Sequence, residues 1–546
     1  MRPPFEREEI VLPLILRRRA QEWPDRPFLH DVEGGSLTFG QLHERALLWA
    51  RALMRLGVEP GDTVVTMSHN RVENYALWFG IAWAGAIEVP INVGLHGTVL
   101  THQLSVPEAA LVLADGSAVP ALQQAAPGVP ALRRVVELDP PEGDAEGPLE
   151  RLPVAGVLDG VPDEPPRPYA DPQMWDVASV IYTSGTTGPS KGVLMPWGQL
   201  HAGQLLTAAG VADGPSERKV MYVCGPPNHV QSKGAVASMA MLGGEVVVRH
   251  AFSGTRFWEE VERFGVSDAG LIGAMAQFLL AAPPSPRDAE TSLTNVLMAP
   301  VVPAVDEFNA RFGTRVWSAY NMTEISVPTW LREWRAGDTP TCGPAREGYP
   351  FYALRVVDEH DLDVEPGEVG ELILRTEVPW TMNAGYLNNP QATASAWRNG
   401  WFHTGDGFRV DEQGRYVFVD RMKDTIRRRG ENISSYEVEA EAVLHPGVLE
   451  CAAVAVPADE AEDEIKLAVV PVPGSGLTPE DLVAFLVPRM PSFMVPRYVQ
   501  LVDELPKTPT LRVQKALVSR SVDPADGVHD RTAAGAGTTP TSREKR

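Results

Sequence analysis

Between Thr38 and Leu56 the apolar residues Leu42, Leu47 and Leu53 recur on one helical face. The segment opens on Thr38 and Gln41 at capping-box spacing and stops at Gly57, so the pattern predicts a helix. Val64 to Met67 reads as a short buried strand, Val72 to Trp83 as a helix and Ala86 to Pro90 as another strand. Strand, helix, strand at this spacing predicts parallel α/β construction. The rhythm returns between Met221 and Gly273, where strands such as Glu245 to Val248 alternate with helical stretches. No short-period repeat is present. The apolar stretch Ala76 to Ile91 is broken by Glu88 and Pro90, which suits a buried helix and strand and is too short for a bilayer span.

Elsewhere the periodicity fades or changes. Pro140 to Pro168 is rich in Pro, Gly, Asp and Glu and reads as a surface connection. After Lys423 a smaller unit is expected. Ser434 and Glu437 form a second capping-box pair opening a helix, followed by strand-like Ala452 to Val456 and Ala468 to Val472. Ser521 to Arg546 has few core-forming residues and reads as a disordered tail. The expected division is therefore an α/β N-terminal body over 1–422, a small α+β domain over 423–520 and a tail over 521–546.

Composition narrows the function. A chain of 546 residues exceeds one compact core, and its net charge of −23 works against nucleic acid or anionic membrane as the main partner. The three cysteines, Cys224, Cys342 and Cys451, lie far apart in no CxxC spacing, so neither a disulfide framework nor a zinc site is expected. The N-terminal apolar stretch Ile10 to Leu16 runs into Arg17-Arg18-Arg19 without a small-residue cleavage site, and a cytoplasmic location is expected.

Three clusters carry chemistry. The run Thr183-Ser184-Gly185-Thr186-Thr187-Gly188-Pro189-Ser190-Lys191 lies between apolar strands. Such a loop aims backbone N–H groups and hydroxyls at one point, with Lys191 adding charge, which suits polyphosphate. It is not the P-loop pattern, because no Ser or Thr follows the lysine. Tyr320-Asn321-Met322-Thr323-Glu324 places an aromatic ring beside a hydroxyl and a carboxylate, suited to a base, a phosphate and Mg²⁺. Gly405-Asp406, followed by Asp420-Arg421-Met422-Lys423, offers a carboxylate for a ribose diol. Alone, either of the last two is more often an ordinary strand end or turn.

Together, in this order, they resemble the adenylate-forming superfamily of acyl- and aryl-CoA synthetases, adenylation domains and beetle luciferases. The resemblance extends to about Leu517 and is closest to small-acid and carnitine-type CoA ligases, including the string Arg427-Arg428-Arg429-Gly430-Glu431-Asn432. It implies a large body with a mobile C-terminal domain. It also implies that Thr183 to Lys191 grip the β- and γ-phosphates of ATP, Tyr320 stacks on adenine with Asn321 beside it, and Thr323 meets the α-phosphate. Glu324 would bind Mg²⁺, Asp406 would hold the ribose with Arg421 nearby, and Lys423 would be the hinge. CoA is the implied acceptor for a small-molecule acid.

Three departures from the family pattern stand out. Asn321 replaces a glycine, Met298-Ala299-Pro300-Val301 replaces a glycine-rich wall, and Arg512 falls where the family has its adenylation lysine, with Lys507 and Lys515 out of register. Arginine keeps the charge but changes the geometry. His229 sits at the family's acid pocket, and Gln231, Ser232 and Lys233 follow, so pocket-lining His229 and Lys233 would imply a small polar or anionic substrate. The leading expectation is an AMP-forming acid–CoA ligase. The alternatives are a CoA-independent diazotase of the same family that adenylates nitrite and couples it to an aromatic amine, and a nucleotide-binding protein without turnover.

Overall fold

The structure, a computed structural model, describes residues 1–140, 146–183, 189–338, 341–422, 426–428, 431–457, 463–492, 494–508 and 513–532. Contacts divide the chain into two units. The first comprises Met1–Val301, Val305–Leu354 and Ile373–His403, and the second comprises Val302–Ala304, Arg355–Leu372 and the chain from Thr404 onward. The second unit begins ahead of the expected residue 423, because Trp401–Val410 pairs antiparallel with Tyr416–Arg421.

The two large sheets of the first unit are built, in chain order, from β1 (Pro27–Asp31), β2 (Ser36–Thr38), β3 (Thr63–Met67), β4 (Ile87–Pro90), β5 (Leu111–Ala114), β6 (Arg134–Glu137), β7 (Glu150–Pro153), β8 (Val177–Thr183), β9 (Lys191–Pro196), β10 (Val220–Val223), β11 (Glu245–Val248), β12 (Asp268–Leu271), β13 (Asn295–Met298), β14 (Arg315–Tyr320) and β15 (Thr329–Leu331). They form two sheets, β15-β14-β13-β12-β10-β11-β1-β2 and β7-β6-β5-β3-β4-β8-β9. Pairing from β14 through β1 is parallel, as is pairing from β7 through β8. Only β15, β2 and β9 join antiparallel. Parallel sheets of this kind offer ligand sites beyond their carboxyl ends. Those ends are where the sequence clusters sit: Thr183 closes β8, Tyr320 closes β14, and His229 follows β10.

The expected elements form for the expected reasons. Thr38 Oγ1 accepts the Gln41 N–H at 3.2 Å and Gln41 Oε1 accepts the Thr38 N–H at 3.0 Å, opening the helix Phe39–Arg55. That helix packs on Val72–Trp83 so closely that a Cβ on Gly80 would stand 2.5 Å from Trp49 Cβ. Pro140 to Pro168 departs from the surface connection expected of it. Glu150–Pro153 pairs with β6 at the sheet edge and leads into a helix, Val154–Leu158. A polar edge strand leaves no hydrophobic run to read.

The second unit contains a four-stranded sheet of Val448–Pro457, Asp463–Pro471, Tyr498–Leu501 and Val528–Asp530. Helices Ser435–Val443 and Pro479–Leu486 contribute Val438, Leu482 and Leu486 to its core. Ser434 Oγ caps the first of them by accepting the Glu437 N–H at 3.1 Å. The tail expected from residue 521 is corrected in its first part. Val528–Asp530 pairs with Tyr498–Leu501, Val528 is buried, and Asp530 meets Arg497 at 3.1 Å. Among the described residues, no helix is long and apolar enough to cross a membrane.

Candidate active site

In the first unit, β8 and β9 form a hairpin in which Thr183 pairs with Lys191, so the two ends of the glycine-rich loop are fixed side by side. Its flank at Ser190 is held from the helix Gly97–Ser105. Gln103 Nε2 donates to Ser190 Oγ and His102 Nε2 donates to the Ser190 carbonyl, both at 3.0 Å. Lys191 is exposed, as a phosphate-binding lysine must be.

Beyond the end of β14, Tyr320, Thr323 and Glu324 are all buried. The Thr323 carbonyl accepts Gln199 Nε2 at 2.9 Å. The Glu324 carbonyl accepts both the backbone N–H of Asn383 at 3.1 Å and its Nδ2 at 2.7 Å. Tyr386, a residue the sequence did not single out, connects this segment to the loop. Its hydroxyl donates to Glu324 Oε1 at 3.0 Å, and Lys191 Nζ lies 5.0 Å from its ring centroid. Asn321 is exposed, and its backbone is not left-handed, so asparagine stands there without strain.

His229 caps the helix Val230–Leu242, with Nδ1 accepting the Gln231 N–H at 3.2 Å. Burial holds its pKa down to about 4. At neutral pH the ring is therefore uncharged with its proton on Nε2, a hydrogen-bond donor. Buried, unpartnered polar atoms on either side, Asn228 Oδ1 and Ser232 Oγ, accompany it.

Lys233 is placed otherwise than expected. It is 2% exposed, with Nζ 2.6 Å from Glu88 Oε2 and 4.1 Å from the Trp78 ring centroid. Glu88 also accepts Ser179 Oγ at 2.8 Å and Thr66 Oγ1 at 3.3 Å. Burial pushes the lysine below its ordinary pKa while Glu88 raises it. This is a satisfied charge pair inside the protein, tying the helix Val230–Leu242 to β4 and β8, rather than a cation lining a substrate pocket.

In the second unit, strand register sets Asp406 opposite Arg421. Arg421 Nε meets Asp406 Oδ1 at 2.7 Å, and Asp406 is 2% exposed. Lys507 is paired with Glu450 at 2.6 Å and Lys515 with Glu439 at 2.8 Å. Ser184, Gly185, Thr186, Thr187, Gly188, Lys423, Arg429, Gly430 and Arg512 lie outside the described residues.

The first-unit arrangement can take a polyphosphate at Lys191 and a hard cation at Glu324. Among the described residues, no group of three or more His, Cys, Asp or Glu is placed to hold a metal. A single carboxylate fits a Mg²⁺ whose other ligands are phosphate oxygens and water, which is how that ion usually binds beside nucleotides.

Residues 16–387 match the AMP-binding enzyme family, and residues 437–511 match the AMP-binding enzyme C-terminal domain. A feruloyl-CoA synthase from an Amycolatopsis species is 33% identical, over 89% of this chain and 94% of that protein. A crotonobetaine/carnitine–CoA ligase from Citrobacter koseri is 29% identical over 86% of this chain and 90% of its own. The crystal structure of ATP-bound MatB from Rhodopseudomonas palustris superposes with a TM-score of 0.79 at 25% identity, over 94% of this chain and 99% of that one.

Proposed function

This chain belongs to the AMP-binding, adenylate-forming enzyme family, and from that premise we propose that it is an acid–CoA ligase: it activates a small polar or aromatic acid with ATP, releases pyrophosphate and passes the acyl group to CoA. The observation that carries the reading is the linked set Lys191, Tyr386 and Glu324 beyond the ends of β8 and β14. The CoA-ligase relatives, one acting on a feruloyl group and one on carnitine-type acids, support both the thiol acceptor and the class of acid.

A carboxylate is a poor electrophile because its oxygen is a poor leaving group. Attack of that oxygen on the α-phosphorus expels pyrophosphate and makes AMP the leaving group in the next step. Lys191 stabilises charge on the phosphates, Thr323 stands at the α-phosphate, and neutral His229 donates from Nε2 toward the acid. Glu324 would hold Mg²⁺, which supplies charge neutralisation for the departing pyrophosphate. Asp406, oriented by Arg421, would accept from the ribose hydroxyls. Ion pairs already engage Lys507 and Lys515, which supports Arg512 as the cation for the adenylation step. Lys423 is read as the hinge between the two half-reactions.

The nitrite-activating alternative drew on the polar segment His229 to Lys233 and on Arg512 in place of the usual lysine; the Glu88 pair takes Lys233 out of that support. The test is AMP and pyrophosphate release from MgATP across feruloyl-like, benzoate-like and small polar acids, each with and without CoA, together with nitrite plus an aminobenzoate. A CoA-dependent thioester is the expected product. AMP release requiring nitrite and amine but indifferent to CoA would replace this reading.

A further inference from the structure

We infer that Tyr386 is a positioning residue that keeps Lys191 and Glu324 apart and separately oriented, so that the lysine remains available to phosphate and the carboxylate to a divalent cation; this rests on the ATP-using reading above. A lysine and a glutamate sharing one small site attract each other, and a direct pair would neutralise the two groups the chemistry needs. Tyr386 offers each a different partner. Its π-face takes the ammonium and its hydroxyl takes one carboxylate oxygen.

The backbone that carries the ring is held on both sides. Ala384 N–H donates to the Leu194 carbonyl at 2.9 Å, Leu194 N–H to the Gly385 carbonyl at 3.0 Å, and Leu387 N–H to the Gly192 carbonyl at 2.8 Å. These bonds lay residues 384–387 along β9, the strand that begins with Lys191. The Tyr386 N–H is anchored on Thr393 Oγ1 at 2.9 Å. On the other side, Asn383 grips the Glu324 carbonyl through two bonds while its Oδ1 accepts the Gly385 N–H at 2.9 Å and Trp397 Nε1 at 3.2 Å. The tyrosine is thus tied by backbone to the strand carrying the cation and, through Asn383 three residues earlier, to the carbonyl of the carboxylate residue. Tyr386 also lines an open cavity of about 480 Å³ with Asn389, Pro390 and Trp397.

The test compares wild type, Tyr386→Phe and Tyr386→Leu in the full chain, measuring MgATP binding by calorimetry at several Mg²⁺ concentrations, with thermal melts to show folding. Phenylalanine keeps the ring and loses the hydroxyl. It should raise the Mg²⁺ concentration at half-saturation about tenfold, the worth of one hydrogen bond to a charged group, while ATP affinity at saturating Mg²⁺ stays within about twofold. Leucine also removes the π-face and should weaken ATP binding about a further fivefold even at saturating Mg²⁺. Folded variants that bind MgATP as wild type does, with an unchanged Mg²⁺ midpoint, overturn the inference and leave the ligase reading standing. A wild-type protein that binds no MgATP overturns both.

Discussion

Lys233 carries a charge that does not reach solvent, and what it does there can be measured. Removing one member of a buried pair leaves the other charged and uncompensated, which costs about 3–5 kcal/mol. Lys233→Met should therefore lower unfolding stability by that order in urea titrations. The double variant Lys233→Met, Glu88→Gln should recover most of the loss, since neither charge is then stranded. A lysine facing the substrate would behave differently, with the single variant changing the KM for the acid and leaving stability near wild type. Asp406 is buried and paired as well, with Arg421 at 2.7 Å, so Asp406→Ala should also lower stability. What sets it apart is that the folded variant should raise the KM for ATP at least tenfold, a change the Lys233 variant does not share. Near-wild-type ATP kinetics would remove the ribose assignment.

At the scale of elements, close approach of helices and rings fixes what the sequence could only suggest. A Cβ on Gly210, near the end of the helix Trp197–Ala212, would stand 2.7 Å from the Trp317 ring on β14. Gly210→Val should then cost about 1–3 kcal/mol by overpacking, read as a lower urea midpoint at unchanged slope. The helices and strands from Thr38 to Pro90 were legible because caps and apolar periods agreed there. The edge strand Glu150–Pro153 was not, because it is paired through its backbone and offers a single core-facing side chain, Leu152, with no alternation to read. The same distinction holds in the site. Thr183, Lys191, Thr323, Glu324 and Asp406 sit in dense local strings of hydroxyls, glycines and charges. Tyr386, Asn383 and Gln199 act through contacts with residues 59 to 195 positions away, and an isolated Tyr, Asn or Gln gives no local signal. Lys233 misled because spacing from His229 says nothing about a partner on β4, 145 residues earlier.

The whole molecule should be acid-sensitive in a window set by histidines rather than carboxylates. Burial, helped by the nearby Arg346 charge, pushes the pKa of His201 down to about 3; its ring is packed against Phe5 and Tyr349. Burial alone holds His229 at about 4, and burial followed by the Arg17 charge holds His43 at about 4. In the unfolded chain these groups titrate near 6.5. Above that pH both states are neutral and nothing is gained or lost. Below it the unfolded chain takes up protons that the native protein refuses, so stability falls as pH falls, by up to about 1.4 kcal/mol per pH unit for each such histidine. Ordinary carboxylates enter only lower, near pH 4.5 and below. Between pH 6.5 and 5, His201 alone should account for a loss of about 2 kcal/mol. His201→Phe keeps an aromatic ring between Phe5 and Tyr349 and removes the titrating nitrogen, so its stability should decline less steeply over that interval than wild type. Parallel urea-derived stability curves for the two proteins from pH 7 to 5 would show that His201 takes up its proton in the folded state as readily as in the unfolded one.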